Sequence, residues 1–227
     1  MKIIKCCKEI IVVYLLQLLL MFISSFIYMY VFNGSSLNSF FSNEFYFIIV
    51  FFNILVLLYL LKHYYTKEKE IRLSSVISSI FIVVSVSLVL NMLFFMFNLQ
   101  NVSNMSISIY LLIFSSGIIG PIVEEYLFRK ILLTRLLELY STKLAIIIEC
   151  LIFALFHSGL NGIIYAFIIG LILSIIYVKY KNINVSIIAH MISNTLVLFL
   201  MGFNIYILLL SIVMLILGLL IRKKMLA

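Results

Sequence analysis

The chain has 227 residues, 66% of them hydrophobic and 11% charged, with a mean hydropathy of +1.30. Soluble domains carry about a quarter charged residues, so an ordinary water-soluble globule is excluded, and so is a disordered chain, whose bias runs the other way. The net charge of +8 comes from basic residues spaced between apolar blocks, which makes the membrane surface the expected partner and excludes nucleic acid. All 8 acidic residues are Glu, and without any Asp neither an intramembrane aspartyl protease nor an Asp-based pump is possible.

A helix needs about 20 mostly apolar residues to cross a hydrocarbon core roughly 30 Å thick. Apolar blocks between polar breaks predict eight such helices, over 10–32, 45–61, 75–97, 107–128, 143–158, 162–179, 185–201 and 204–221. The fold class is therefore all-α, a polytopic membrane protein with no room for a soluble domain. The first block is preceded by Lys2, Lys5 and Lys8, like a secretory signal. Its apolar stretch is too long for a signal core and no small-residue cleavage site follows, so it reads as a retained helix. Cys6, Cys7 and Cys150 suggest no disulfide framework.

Lysine and arginine stay on the cytoplasmic side of a bilayer. All 16 lie at the N-terminus, in every second connection or at the C-terminus, and the connections 33–44, 98–106, 157–162 and 201–204 carry none. An even number of spans with both termini cytoplasmic produces this pattern. The high Ile, Lys, Asn and Phe content points to an AT-rich bacterial genome, and so to the bacterial cytoplasmic membrane.

Ionisable side chains inside a bilayer cost a few kcal/mol or more each and are functional candidates by default. Five lie in or beside the apolar blocks of the second half: Glu124, Glu125, Glu149, His157 and His190, with Arg129 at the inner margin. Pro121 suits a helix restart, which would put Glu124 and Glu125 in a first turn favoured by the helix dipole. Glu125 and Arg129, four apart, share a face and pair, while Glu124 projects about 100° away. One carboxylate is then held ionised and its neighbour is partly desolvated, a division that yields one structural anion and one general base. A plain interfacial Glu–Arg pair reads equally well from this cluster alone. His157 follows Phe153 by four residues, and Asn194 follows His190 by four, so each pair shares a helical face. Singly, such residues are packing or helix-to-helix hydrogen bonds. Glu149 falls on roughly the face of Phe153 and His157, and it receives no role from the sequence.

The order Glu-Glu-x-x-x-Arg, Phe-x-x-x-His, His-x-x-x-Asn on successive membrane helices resembles the CPBP intramembrane proteases, a family named for CAAX proteases and bacteriocin-processing enzymes that includes the type II CAAX prenyl endopeptidases. The resemblance divides the chain into three N-terminal helices (1–106), a protease-like core (107–201) and a last helix with a basic tail (202–227). It implies peptide-bond hydrolysis in a cavity opening to the cytosol. Glu124 and His157 would activate the water, His190 and Asn194 would stabilise the oxyanion, and Glu125 with Arg129 would position the first carboxylate. Glu124, His157 and His190 would also suffice as three ligands of a catalytic zinc, and a metal-free Glu/His mechanism uses the same residues.

The expected substrate is a small peptide or a membrane protein; in a bacterium a bacteriocin or pheromone peptide is favoured over a prenylated protein. Two other classes fit the composition. A non-catalytic immunity or binding protein would keep its effect without Glu124 and His157. A proton-coupled carrier would also need intramembrane Glu and His, but the halves show no repeat. Substrate, metal status and oligomeric state are not encoded. One geometric demand follows from the charged margins: Glu124 falls nearer the cytoplasm and His157 nearer the outside, so a shared site requires a deep, tilted helix after Pro121 or a short, recessed fifth span.

Overall fold

A bilayer interior offers no water to satisfy backbone N–H and C=O groups, so an apolar chain of this kind must fold into helices. The computed structural model describes residues 6–30, 43–97, 108–200 and 204–224, and these residues form helices and short connections with no strand. In chain order the helices are α1 (Lys8–Tyr30), α2 (Asn43–Tyr64), α3 (Leu73–Met96), α4 (Ile109–Leu139), α5 (Thr142–Leu155), α6 (Gly159–Tyr180), α7 (Ile183–Phe199) and α8 (Ile205–Lys224). They fall at the eight expected positions. Five helical stretches, including most of α2 and all of α3, α4 and α6, are long and apolar enough to cross a membrane. The protein is an all-α, multi-pass membrane protein.

The fourth helix departs from expectation. It was expected to end near residue 128, but it continues to Leu139, so Arg129, Lys130 and Arg135 lie within it. Charge does not break it because each of these cations has a partner on another helix or loop. Pro121 does not restart a helix either. It sits inside α4, and the helix widens to π geometry over Ile113–Ile119 before it and over Glu125–Leu133 after it. Proline lacks an N–H and clashes with the preceding turn, and a wider turn relieves that conflict without ending the helix. Gly120 completes the adjustment, since a Cβ there would lie 2.8 Å from the Ser115 carbonyl oxygen.

Polar contacts gather the basic ends of the helices at one end of the bundle. Arg135 pairs with Glu9, which also accepts a 2.9 Å hydrogen bond from Tyr64 Oη. Lys130 Nζ lies 2.6 Å from Glu68 Oε1, and Asn182 donates to the Lys69 carbonyl. Lys179 and Arg222 share a crevice with Ser78. Clustering of the basic connections at one end agrees with the cytoplasmic side inferred from their alternation.

Small residues let helices approach where lipid provides no hydrophobic drive. Helix α3 buries Ser75, Ser78, Ser79, Ser85 and Ser87, and Ser78 Oγ donates to the Gly218 carbonyl of α8 at 2.8 Å. Leu15, Phe22, Leu209 and Leu220 turn outward and are more than half exposed, as lipid-facing residues should be. The larger core joins α4 to α5 and α6 through Leu127, Phe128, Leu132, Leu133, Phe153 and Ala166.

Candidate active site

Glu124 and Glu125 leave α4 in different directions. Glu125 is fully buried, while the Glu124 side chain keeps 25% of its surface exposed. The separation inferred from helical geometry is present, and the surroundings of each carboxylate give it chemical meaning.

Behind the helix lies a sealed ionic network. Arg129 Nη1 is 3.2 Å from Glu125 Oε1, the expected i,i+4 pair, and Arg129 Nε is 3.6 Å from Glu149 Oε1 on α5. All three side chains have no solvent exposure. Arg129 Nη2 donates to the Gly170 carbonyl of α6 at 3.3 Å, and its guanidinium carbon stands 4.3 Å from the centre of the Phe153 ring. Gly170 is required there, because a Cβ would fall 2.9 Å from Phe153 Cδ1 and 3.4 Å from Arg129 Nη2. Glu149 is held in turn by Ser174 Oγ and by the Cys150 thiol, which both donate to Oε2. A buried arginine is tolerable only with charge compensation and hydrogen bonds, and this one has carboxylates on two sides.

The network extends to α7. His190 Nδ1 lies 2.8 Å from Glu125 Oε1. A carboxylate only accepts, so Nδ1 carries the proton, and Nε2 is left facing Glu124 Oε2 at 3.8 Å. Glu125 is thus in direct contact with Arg129 and His190, and the side chain it orients is that imidazole.

In front of the helix is a cavity of about 500 Å³ whose lining includes Glu124, His157, Ser116 and Asn194. His157 Nδ1 is 3.0 Å from the Phe153 carbonyl oxygen, one turn back. A carbonyl also only accepts, so this contact fixes the proton on Nδ1 and leaves Nε2 with a free lone pair. The ring is further held edge-on to Phe153, at a centroid distance of 4.7 Å. Asn194 Nδ2 donates to the Ser116 carbonyl at 3.1 Å, which orients the amide within the cavity wall.

The depth conflict between Glu124 and His157 is resolved by helix length. Helix α5 has 14 residues, about 21 Å, and stops well short of a 30 Å core, so His157 at its end is recessed toward the level of Glu124. Of the six residues singled out, Glu124, His157 and Asn194 line the cavity and Glu125, Arg129 and His190 stand behind it, linked by the His190–Glu124 approach. Sequence reasoning left Glu149 without a function and did not anticipate Gly170 or Ser174. Its only signal for Glu149 was the cost of a carboxylate in an apolar helix.

Among the described residues no three His, Cys, Asp or Glu side chains are grouped to hold a metal. His190 Nδ1 is committed to Glu125, and Glu124 stands 3.8 Å from its other nitrogen. Two ligands of one zinc, each bound at about 2.0–2.2 Å, lie roughly 3.5 Å apart, so Glu124 and His190 Nε2 would supply two ligands, with no grouped third among the described residues.

Known proteins resemble part of this chain. A relative named "Putative membrane peptidase YdiL", from Bacillus subtilis (strain 168), is 34% identical over 100 residues, which is 44% of this chain and 41% of that protein. The Membrane-embedded CAAX protease MroQ of Staphylococcus aureus (strain USA300) is 39% identical over 88 residues, 36% of each chain. The chain thus spans about two fifths of the length of these relatives. No solved structure matches it. Residues 106–196 match the Type II CAAX prenyl endopeptidase Rce1-like family, and the residues singled out for the two-sided carboxylate site, from Glu124 to Asn194, fall within the matched stretch.

Proposed function

We propose that the protein is an intramembrane endopeptidase that hydrolyses a peptide bond with water activated by Glu124 and His157. The observation that carries this reading is the shared cavity, in which a partly exposed carboxylate and an imidazole with its Nε2 lone pair free line the same space. A water between them would give its proton to one of these bases as its oxygen attacks the scissile carbonyl carbon. The carbonyl oxygen becomes an oxyanion, and the donors suited to receive it are the second N–H of the Asn194 amide and, when both ring nitrogens carry protons, His190 Nε2–H. Collapse of the tetrahedral species breaks the C–N bond, and the proton taken from water passes to the departing amine. Glu125 and Arg129 contribute by holding His190 in one orientation. No step is routed through a metal.

The substrate suited to such a cavity is a peptide segment delivered from the membrane: a small amphipathic peptide or an extended stretch of a membrane protein. In a bacterial membrane a secreted signalling or bacteriocin-like peptide has these properties. The test uses the full chain in proteoliposomes with a panel of lipidated, amphipathic and membrane-spanning peptides, read by mass spectrometry. The expected result is a cleavage product that 1,10-phenanthroline leaves undiminished and that Glu124→Gln does not form. Cleavage by Glu124→Gln at the wild-type rate overturns the reading. Suppression by the chelator, with recovery on adding zinc, overturns its metal-free form.

A further inference from the structure

Two uncharged amides in the first half of the chain face the same cavity. Gln17 of α1 and Asn53 of α2 line it alongside Glu124 and His157. Both lie within otherwise apolar helical stretches, Leu15-Leu16-Gln17-Leu18-Leu19 and Phe51-Phe52-Asn53-Ile54-Leu55. Carboxamides in membrane helices ordinarily hydrogen-bond a neighbouring helix. Neither of these does so: among the described residues, neither carboxamide makes a hydrogen bond to another group, though both residues are only part-exposed.

Their depth matches that of the proposed reacting groups. Glu9, Tyr64 and Arg135 meet at one level, which serves as a common origin for α1, α2 and α4. From it Gln17 is eight residues along α1, Asn53 eleven along α2 and Glu124 eleven along α4. At about 1.5 Å per residue these are heights of about 12, 17 and 17 Å. Amides from two helices and the carboxylate from a third therefore enter the cavity within about one helical turn of each other in depth.

We propose that Gln17 and Asn53 bind the main chain of the substrate peptide and hold it extended across Glu124 and His157. A carboxamide presents an N–H donor and a C=O acceptor, the complement of the C=O and N–H of a peptide unit. A peptide drawn out of helical form inside a membrane leaves its backbone groups unsatisfied at several kcal/mol each, so amide partners at the depth of the scissile bond answer the main obstacle to binding it. Main-chain recognition of this kind reads no side chain, so the enzyme would accept varied sequences provided the segment is extended. The inference deepens the proteolytic reading and rests on it for the identity of the ligand as a peptide.

The test compares Gln17→Leu and Asn53→Leu with the wild type and with Glu124→Gln, in proteoliposomes. The probes are a fluorescent farnesylated peptide ending in Cys-aliphatic-aliphatic-X and an unlipidated apolar peptide of the same length, each with a twin N-methylated at the central amides. Leucine suits a membrane helix, so unfolding temperatures should be unchanged. Each leucine variant is expected to raise KM about tenfold with kcat within twofold, the loss of roughly one amide hydrogen bond. Binding to the uncleaving Glu124→Gln background should weaken by the same factor, and N-methylation should weaken binding to the wild type but add little in the leucine variants. A wild type that binds the probes but does not cleave them sinks the proteolytic reading and spares the amide clamp. Unchanged KM and Kd in both leucine variants overturn the clamp, as does absence of saturable binding of either probe to the wild type. A lowered unfolding temperature with unchanged KM marks the amides as helix contacts and also overturns it.

Discussion

Glu125, Arg129, Glu149 and His190 are packed behind α4 out of reach of solvent, whereas Glu124, His157 and Asn194 stand in front of it and reach an open cavity. The two groups meet at Glu124 and Glu125, neighbours on α4 separated in the chain by a single peptide bond. In the rear group every charge is close to an opposite charge on another residue, and the partners come from α4, α5 and α7. In the front group the side chains are anchored through one atom each: His157 through Nδ1, Asn194 through Nδ2. Their remaining polar atoms are uncommitted. The rear region therefore fixes geometry and the front region is free to do chemistry, and substitutions should separate along that line.

The largest effect is expected in front. Glu124→Gln removes the base while retaining volume and hydrogen-bonding capacity. Cleavage should fall by about 10²–10⁴, the usual contribution of general acid–base catalysis, with the unfolding temperature in detergent unchanged. A folded variant with near-normal turnover would erase the contrast between the two carboxylates.

Next comes the rear network. Arg129→Met retains an apolar stem for Phe153 but leaves Glu125 and Glu149 buried without their shared cation. Removing one partner of a buried ion pair costs about 3–5 kcal/mol, because the remaining charge is uncompensated. Thermal unfolding should therefore occur at a clearly lower temperature, and activity should be lost along with the fold. A variant as stable as the wild type would mean that the carboxylates take up protons without penalty, and the rear group would not be a charge network at all. Glu149→Gln sharpens the comparison, since it leaves Arg129 with the single counter-ion Glu125 and should destabilise less than Arg129→Met.

Much of this architecture was legible because a bilayer restricts the chain to helices, so apolar block lengths and the placement of lysine and arginine nearly suffice for the element order. The Glu125–Arg129 pair was legible too, being local to one helix. The contacts that join the regions were not. Glu125 meets His190 across 65 positions and Arg129 meets the Gly170 carbonyl across 41, and no periodicity reports such distances. Pro121 misled for a related reason: its intrinsic tendency to end a helix is overridden by a π-widened turn held within the bundle. Gln17 and Asn53 carry no charge to mark them in the sequence, and an uncharged amide is distinguished from helix glue only by what it fails to touch.

The smallest predicted effect tests whether the rear region is as tightly packed as its charges require. At Gly170 the α6 backbone comes close enough for its carbonyl to accept from Arg129, and Phe153 fills the remaining space. Gly170→Ala adds one methyl group whose position is 2.9 Å from an aromatic carbon on the neighbouring helix. Helix propensity favours alanine by up to about 1 kcal/mol, whereas overpacking a rigid site costs about 1–3 kcal/mol. The neighbour is the ring edge of a fully buried side chain that also carries His157 one turn later, so the ring cannot swing away freely. The steric term should win, giving a modest net loss of stability measured by thermal unfolding, together with a weaker Arg129–Gly170 contact. A gain in stability would show that α6 can withdraw from α5 without cost, and that Arg129 is held by its two carboxylates alone.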